Sequence, residues 1–171
     1  MTYEDRLAKV RKEFPNFQVV PKSSSLLMRI LGTIMFFNKA FMTKYLTTFG
    51  YWVWVPTLWP DYADCRKESL LRHEAVHLRQ QKRFGFLLFA FLYLFFPLPL
   101  GLAYFRARFE MEAYAESMRA QSEYFGVDML KNPEVKTFYV SQFTSGAYGW
   151  MWPFPVAVGS WYDETVKKIN S

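Results

Sequence analysis

The chain is poor in cysteine, and the pattern of its first residues is not the one expected of a secretory leader. Its single cysteine, Cys65, excludes an intrachain disulfide framework and a cysteine-rich zinc site. We interpret Cys65 as a small, partly buried side chain. Residues 1–14 are charged throughout and contain no apolar stretch of the length that a signal peptide needs. These absences predict a cytoplasmic protein.

The chain also lacks an extreme of charge or hydropathy. Hydrophobic residues make up 51% of its 171 residues and charged residues 21%, which excludes disordered and fibrous classes and predicts one domain over residues 1–171. The net charge of +6 is moderate and gives no clear indication of a nucleic-acid partner. We interpret the main basic cluster as a solvated helix face, with a patch for acidic lipid, substrate or nucleic acid as the alternative. The cluster comprises Arg66, Lys67, Arg72, Arg79, Lys82 and Arg83.

Histidine is scarce too, and both histidines stand in one five-residue motif. The segment His73-Glu74-Ala75-Val76-His77 places the two imidazoles one turn apart on the same face of a helix. Two imidazoles at this spacing can bind one zinc ion, and Glu74, about 100° round the helix, can reach a water on that ion. The motif predicts metal-assisted hydrolysis, most often of a peptide bond.

A zinc ion needs at least one further protein ligand, which must be a carboxylate because no third histidine exists. Residues 106–125 are predicted to form a helix on which Glu110, Ala113 and Tyr114 share one face. The small Ala113 would let this helix approach the histidine helix closely, and Tyr114 could hydrogen-bond a ligand histidine. Glu112 points about 200° away from Glu110, so the two carboxylates cannot both face the metal.

Hydrophobic periodicity and turn residues predict the remaining elements. The expected helices cover Thr2–Phe14, Leu26–Phe37 and the histidine motif up to about Arg83, and the expected strands cover Phe17–Val20, Lys44–Thr48 and Tyr51–Val55. The tail Phe138–Tyr162 is rich in glycine, proline and aromatic residues, and we expect it to be irregular. The predicted fold class is α+β. It is a mainly helical single domain with a small β-sheet or hairpin, whose edge strand flanks the histidine helix, and a second helix that bears the glutamate.

The run Phe84–Phe105 contains 22 residues without a charge and is long enough to suggest a membrane span. Pro97, Pro99 and Gly101 interrupt it, and such a cluster breaks a helix and turns the chain. We predict a buried helical hairpin that reverses at Pro97–Gly101 and runs back antiparallel to the glutamate helix. The alternative is a hairpin that dips into a membrane and provides a peripheral membrane contact.

The motif and the glutamate helix together resemble a known enzyme family. HExxH followed by ExxA, which here reads HEAVH and then Glu110-Met-Glu-Ala113, is similar to the gluzincin, or thermolysin-like, metallopeptidases. The pair Gln80-Gln81 and the ExEA form resemble the compact minigluzincin-type peptidases. The likeness covers about residues 45–116.

The resemblance implies zinc as the cofactor, His73, His77 and Glu110 as its ligands, and Glu74 as the general base. The chain departs from the family pattern in two places. It carries Tyr114 where many relatives carry Asp, and its apolar hairpin is unusually long.

The family usually presents an edge strand beside the active helix, to which a substrate peptide adds as an antiparallel strand. Tyr51–Val55 is the candidate for that strand, and the alternative is an internal strand packed on both faces. A tyrosine or another donor should stabilise the oxyanion. Tyr148 is the candidate donor, with a packed aromatic side chain as the alternative interpretation.

Three functions fit these residues. The first is a zinc-dependent metalloendopeptidase that acts on a peptide or protein substrate. The second is a non-enzymatic, zinc-stabilised module that associates with a membrane or another protein, which the apolar hairpin and the Trp-rich tail favour. The third is a zinc hydrolase of a non-peptide amide. A Glu74→Gln variant distinguishes the first two, because it would abolish hydrolysis and leave folding, metal content and partner binding intact.

Overall fold

The structure is a computed structural model that describes residues 1–34, 40–94, 102–146 and 151–171. Most of these residues are helical and three short strands form one sheet, so the predicted α+β class is confirmed. The chain divides into two compact units, residues 1–78 and 79–171. Helix α4 (Asp64–Phe84) includes residues of both units. The prediction of one domain over residues 1–171 stays a prediction.

The first unit begins with a capped helix, α1 (Tyr3–Glu13). The Thr2 hydroxyl accepts the Asp5 N–H at 3.2 Å, and the Asp5 carboxylate accepts the Thr2 N–H at 3.1 Å. This capping box satisfies two backbone donors that a helix start otherwise leaves free. Two further helices are α2 (Leu26–Ile34) and α3 (Ala40–Thr43), and short 3-10 turns cover Lys22–Ser24 and Trp59–Asp61. Residues 35–37 of the helix predicted from Leu26 lie outside the described residues.

The sheet consists of β1 (Gln18–Pro21), β2 (Thr47–Phe49) and β3 (Trp52–Val55) in the order β1-β3-β2. Strand β3 lies in the centre, parallel to β1 and antiparallel to β2. The prediction that Tyr51–Val55 is an edge strand is therefore wrong, and the alternative of an internal strand is confirmed. The reason is its composition: the last three residues of β3 are all buried, and a strand buried on both faces needs apolar side chains at successive positions.

Helix α4 packs on one face of this sheet. Its apolar side chains join those of α1 and β3 in a buried cluster made of Tyr3, Leu7, Val10, Phe14, Phe17, Val53, Val55, Leu71, Ala75 and Leu78. On the opposite face, Trp54 packs with Met28 and Phe41. Thr48 pairs with Val53, so its side chain lies on the face that α4 covers.

A buried ion network also joins α1 to α4. Glu68 is fully buried and accepts a hydrogen bond from Arg6 Nε at 2.7 Å. The same carboxylate oxygen lies 3.9 Å from a guanidinium nitrogen of Arg72. Arg72 is itself buried, so its assignment to a solvated helix face is wrong. The carboxylate of Glu68, one turn before Arg72 on α4, allows the positive charge of Arg72 to be buried.

In the second unit, α5 (Phe86–Leu94) packs along α6 (Tyr104–Phe125). The Phe89 and Phe109 ring centroids are 5.0 Å apart, and the Arg106 guanidinium lies 5.3 Å from the Tyr93 ring centroid. The later residue of α5 contacts the earlier residue of α6, so the two helices run antiparallel as predicted. The predicted reversal at Pro97–Gly101 lies outside the described residues. Of the helices that are described, none is both long and apolar enough to cross a membrane.

The tail is largely helical, so the prediction of an irregular segment over Phe138–Tyr162 is wrong for residues 138–144 and 155–162. Helices α7 (Pro133–Thr144) and α8 (Pro155–Asn170) cover most of it, and each begins with a proline, which tolerates the first helical turn because no N–H is needed there. Tyr139 and Phe143 lie one turn apart and are buried together, a helical period that the abundance of aromatic residues obscured.

The core of the second unit is built from α6, α7 and α8. Helix α6 ends at Gly126, whose φ of +82° favours glycine, and a 3-10 turn over Val127–Lys131 leads to α7. The buried cluster contains Ala103, Ala107, Met111, Tyr114, Met118, Leu130, Tyr139, Phe143, Met151, Val158 and Tyr162. This packing orients α6, the helix that carries the predicted glutamate ligand.

Candidate metal centre

The buried side chains of α4 lie on two sides of the helix, with apolar side chains on one side and the histidines on the other. Leu71 and Ala75 pack in the cluster at the sheet, whereas His73 and His77 lie on the opposite side of the helix, about 200° away. Both histidines are nevertheless buried, with exposed fractions of 9% and 6%. Burying polar rings is unfavourable unless they find partners, so two of them side by side suggest a specific purpose.

The two imidazoles are arranged as a pair of metal ligands would be. Their Nε2 atoms lie 3.2 Å apart and the ring planes are inclined at 77°. Two nitrogens bound to one tetrahedral zinc at about 2.0–2.1 Å would be separated by about 3.3–3.4 Å. The His73 and His77 side chains therefore fit a shared zinc ion with adjustments of only a few tenths of an ångström.

Glu110 is the buried carboxylate of α6. It is 3% exposed, and the Tyr93 hydroxyl of α5 donates a hydrogen bond to its Oε1. Glu112 is exposed and accepts a hydrogen bond from Gln80 Nε2 at 2.9 Å. That Glu110, and not Glu112, would bind the metal stays a prediction. A carboxylate held by an outer hydrogen bond is typical of metal ligands, because the bond sets its orientation.

His73, His77 and Glu110 form the one group of three potential ligands found among the described residues. Their ligand atoms all lie within 4.8 Å of one another, and all three side chains are buried. Two imidazole nitrogens and one carboxylate are the donor set of many catalytic zinc sites, which leave a further position for water. The donors present thus fit zinc in number and in kind.

Glu74 does not belong to that group. It lies about 100° round α4 from His73, is 7% exposed, and accepts a hydrogen bond from the Thr48 hydroxyl of β2 at 2.5 Å between Oγ1 and Oε2. Strand β2 is an edge strand of the described sheet. An edge strand therefore flanks the histidine helix, although it is β2 and not the strand expected from the sequence.

Two other predicted residues have different outcomes. Tyr148 lies outside the described residues, so its proposed part in oxyanion stabilisation stays a prediction. The Tyr114 ring is buried against Tyr139 and Phe143, with centroids 5.7 and 5.5 Å away. The predicted hydrogen bond from Tyr114 to a histidine also stays a prediction.

Sequence reasoning missed two side chains that contact the predicted catalytic and ligand carboxylates. Thr48 contacts Glu74, and Tyr93 contacts Glu110. Tyr93 could have been noticed, because it is the one residue of Phe86–Leu94 with a polar side chain. Nothing in the sequence marks Thr48, since its position depends on how the sheet and α4 pack.

Comparison with known proteins adds no family assignment. No family model, no curated protein and no solved structure matches the chain.

Proposed function

We propose that this chain is a zinc-dependent metallopeptidase that hydrolyses peptide bonds, as the gluzincin-like motifs imply. The observation that carries the proposal is the buried group of His73, His77 and Glu110, whose ligand atoms lie within 4.8 Å of one another. The two histidines would bind the metal through Nε2 and Glu110 through its carboxylate. Tyr93 would hold Glu110 in its ligand orientation through the hydroxyl that donates to Oε1.

Zinc bound at this position would lower the pKa of a coordinated water and polarise the scissile carbonyl. Glu74 follows a ligand histidine directly but is not a member of the ligand group. Its carboxylate would take the proton of the attacking water and later pass it to the leaving amine. The Thr48 hydroxyl occupies Oε2 of Glu74, so Oε1 is the oxygen that we assign to proton transfer.

Strand β2 is our candidate for the strand that receives the substrate. It is an edge strand of the described sheet, and its Thr48 contacts Glu74 directly. A peptide that adds to such an edge is held by its own main chain, so affinity depends little on its side chains. We therefore expect cleavage of extended peptides.

The test combines metal analysis with a peptide-library digest. Purified wild-type protein should contain one zinc per chain and cleave peptides, and chelation should stop the cleavage. Glu74→Gln should lower the rate by about 10²- to 10⁴-fold, the usual contribution of a positioned general base, while the zinc content stays at one per chain. Wild-type protein with stoichiometric zinc and no cleavage would refute the peptidase.

The ligand assignment has a matched control on the same helix. Loss of a residue that only supports a ligand lowers metal affinity by about 10- to 100-fold. Glu110→Ala removes a proposed ligand and should therefore weaken zinc binding by more than that. Glu112→Ala removes an exposed glutamate two positions away and should leave zinc binding unchanged. Equal zinc affinities for the two variants would exclude Glu110 as a ligand.

A second candidate function is a zinc-stabilised module that binds a membrane surface without catalysis. The observation that favours it is the outer side of α5, where Leu87 is 81% exposed and Leu88 and Phe91 are about half exposed. Lys82 and Arg83 lie just before this helix and are also exposed, a combination that suits an anionic lipid surface.

Sedimentation with vesicles tests this second function. The protein should pellet with phosphatidylserine-containing vesicles and less with neutral ones, and Leu87→Asp should abolish pelleting. Leu26→Asp, which changes an exposed leucine of α2, is the control and should pellet like the wild type. If Leu87→Asp pellets unchanged, α5 is not a membrane contact.

A further inference from the structure

The turn between β2 and β3 determines which main-chain groups of β2 point to its open edge. The turn has two residues and begins with Gly50, whose φ is +60°. A two-residue turn of this kind is closed by a pair that exchanges hydrogen bonds, here Phe49 and Trp52. Bonded and non-bonded pairs alternate along an antiparallel ladder, so in the next pair, Thr48 and Val53, the main-chain groups point away from each other.

The parallel neighbour of β3 agrees with this alternation. The Gln18 N–H of β1 donates to the Tyr51 carbonyl at 2.9 Å. Successive residues of a strand direct their main-chain groups to opposite sides, so Val53 faces β1 as Tyr51 does, whereas Trp52 and Trp54 face β2. The middle residue of β2 therefore directs its N–H and C=O away from β3.

That middle residue is Thr48, and its side chain contacts the proposed general base. The Thr48 hydroxyl donates to Oε2 of Glu74 at 2.5 Å. Among the strands that are described, none pairs with the outer side of β2. An extended peptide that forms main-chain bonds with Thr48 is thus placed beside Glu74 by the same residue that holds Glu74.

The opposite face of this hairpin carries exposed aromatic side chains. Side chains alternate along a strand, so Phe49 and its cross-strand partner Trp52 lie on the face away from Thr48. Phe49 is 53% exposed and Trp52 is 46% exposed, and the Trp52 ring centroid is 5.7 Å from that of the buried Trp54. Neighbouring exposed rings form a continuous apolar surface, which is more typical of a binding contact than a single exposed residue is.

We propose that Thr48 fixes the register of the substrate and that Phe49 selects one of its side chains. In antiparallel pairing, one substrate residue exchanges main-chain hydrogen bonds with Thr48 and lies next to Glu74. The adjoining substrate residue lies opposite Phe49, on the same face, and its side chain packs on the Phe49 ring. Strand β2 has only three residues and offers few main-chain bonds, so this contact selects among extended peptides. The inference rests on the proposed function and names its substrates, which are extended peptides with a large apolar residue at that position.

Amide hydrogen exchange tests the register without any turnover. The probe is zinc-bound Glu74→Gln protein, which keeps an acceptor for the Thr48 hydroxyl. In the free protein the Thr48 N–H should exchange fast, and that of Val53, its partner on the central strand, should exchange slowly.

Pools of acetylated heptapeptides with phenylalanine at the central position are then added to the same protein. At about ten times the dissociation constant they should slow Thr48 exchange by about tenfold, and pools with central serine should slow it less at equal concentration. A Thr48 amide that is already protected in the free protein, or that no pool protects, would overturn the proposal.

The side-chain preference is tested by sequencing the products of a peptide-library digest. Wild type should favour phenylalanine, tyrosine, tryptophan or leucine over serine at one position within about two residues of the cleaved bond. Phe49→Ser should lower that preference by about two- to fivefold, the usual contribution of one cross-strand aromatic contact. Phe138→Ser changes a phenylalanine of α7 that is 55% exposed and should keep the wild-type preference.

The outcomes separate this inference from the proposed function. Equal preferences in wild type and Phe49→Ser would overturn it, and so would a Phe49→Ser variant that keeps the preference but no longer pellets with lipid vesicles. If wild type cleaves peptides with no apolar preference, only this inference fails. If wild-type protein with stoichiometric zinc cleaves nothing, the proposed function fails and the inference fails with it.

Discussion

The two units of the chain bury different kinds of side chain. In residues 1–78 the buried set includes full charges, namely Lys22, Glu68, Arg72 and Glu74. In residues 79–171 the buried cluster is made of aromatic, methionine and aliphatic side chains. Glu110 is the one charged side chain that is buried among the described residues of this second unit.

The difference is relevant to where the proposed function and the stability of the fold reside. Burying an ion costs several kcal/mol before its partners compensate, and strongly perturbed groups are concentrated at functional sites. A core of aromatic and methionine side chains carries no such cost and contributes stability in proportion to its buried area. We infer that residues 1–78 contain the proposed general base, whereas the second core serves mainly to hold α6 and its Glu110.

The largest change in the free energy of unfolding that tests this comparison is expected at Glu68. Glu68→Ala removes the carboxylate that accepts from Arg6 at 2.7 Å and lies 3.9 Å from the buried Arg72. Breaking a buried ion network from one side costs about 3–5 kcal/mol, so the urea midpoint should fall strongly. Glu68→Gln keeps an acceptor and should lose less. A loss below about 1 kcal/mol for Glu68→Ala would show that the network behaves like a surface ion pair.

A second effect is a pH dependence that only the first unit should show. The pKa of Lys22 is lowered by burial from 10.5 to about 8. Below pH 8 both the folded and the unfolded chain hold this proton, and the cost of burying the ammonium is fully present. Above pH 8 the folded chain releases the proton first, so the unfolded chain binds more protons and the free energy of unfolding rises with pH. Between pH 8 and 9.5 the gain should be about 1.5 kcal/mol.

The measurement is a series of urea unfolding curves for wild type and Lys22→Met over that interval. The rise should be absent in Lys22→Met. The second unit contributes the opposite trend, but only at higher pH. Burial raises the pKa of Tyr139 and raises that of Tyr162 to about 12, so these tyrosines lose stability for the fold only above about pH 10. Parallel curves for the two proteins would contradict the assignment to Lys22.

Much of the fold could be predicted from local sequence signals. The start of α1, the end of α6 at Gly126 and the antiparallel arrangement of α5 and α6 are marked by a capping threonine, a glycine and a charge-free run that prolines and a glycine interrupt. The errors arose where tertiary context overrides local pattern. The position of β3 in the sheet depends on β1, which is distant in sequence, and the aromatic tail concealed the helical period of α7.

The candidate site divides in the same way. The shared face of the two histidines and the opposite directions of Glu110 and Glu112 follow from helical geometry, which is local and periodic. The choice of Glu110 as the ligand follows from the resemblance to the gluzincins. The contacts of Glu74 could not be found by that route. Thr48 lies 26 residues before it, at a position that only strand order and register bring close to α4. A contact between distant segments has no sequence period.

The smallest effect should come from an ion pair of the second unit that is not buried. Lys136 of α7 contacts Asp163 of α8 at 2.7 Å, with side chains 39% and 54% exposed. Water screens such a pair and holding two flexible side chains together costs entropy, so Asp163→Ala should change the free energy of unfolding by less than about 1 kcal/mol. At high salt the stability difference between Asp163→Ala and wild type should disappear. The loss of stability in Glu68→Ala should change little with salt, because a buried ion pair is screened less. Two urea series, at low and at high salt, measure both variants. If Asp163→Ala cost as much as Glu68→Ala, the second unit would depend on charge as strongly as the first, and the contrast between the units would be lost.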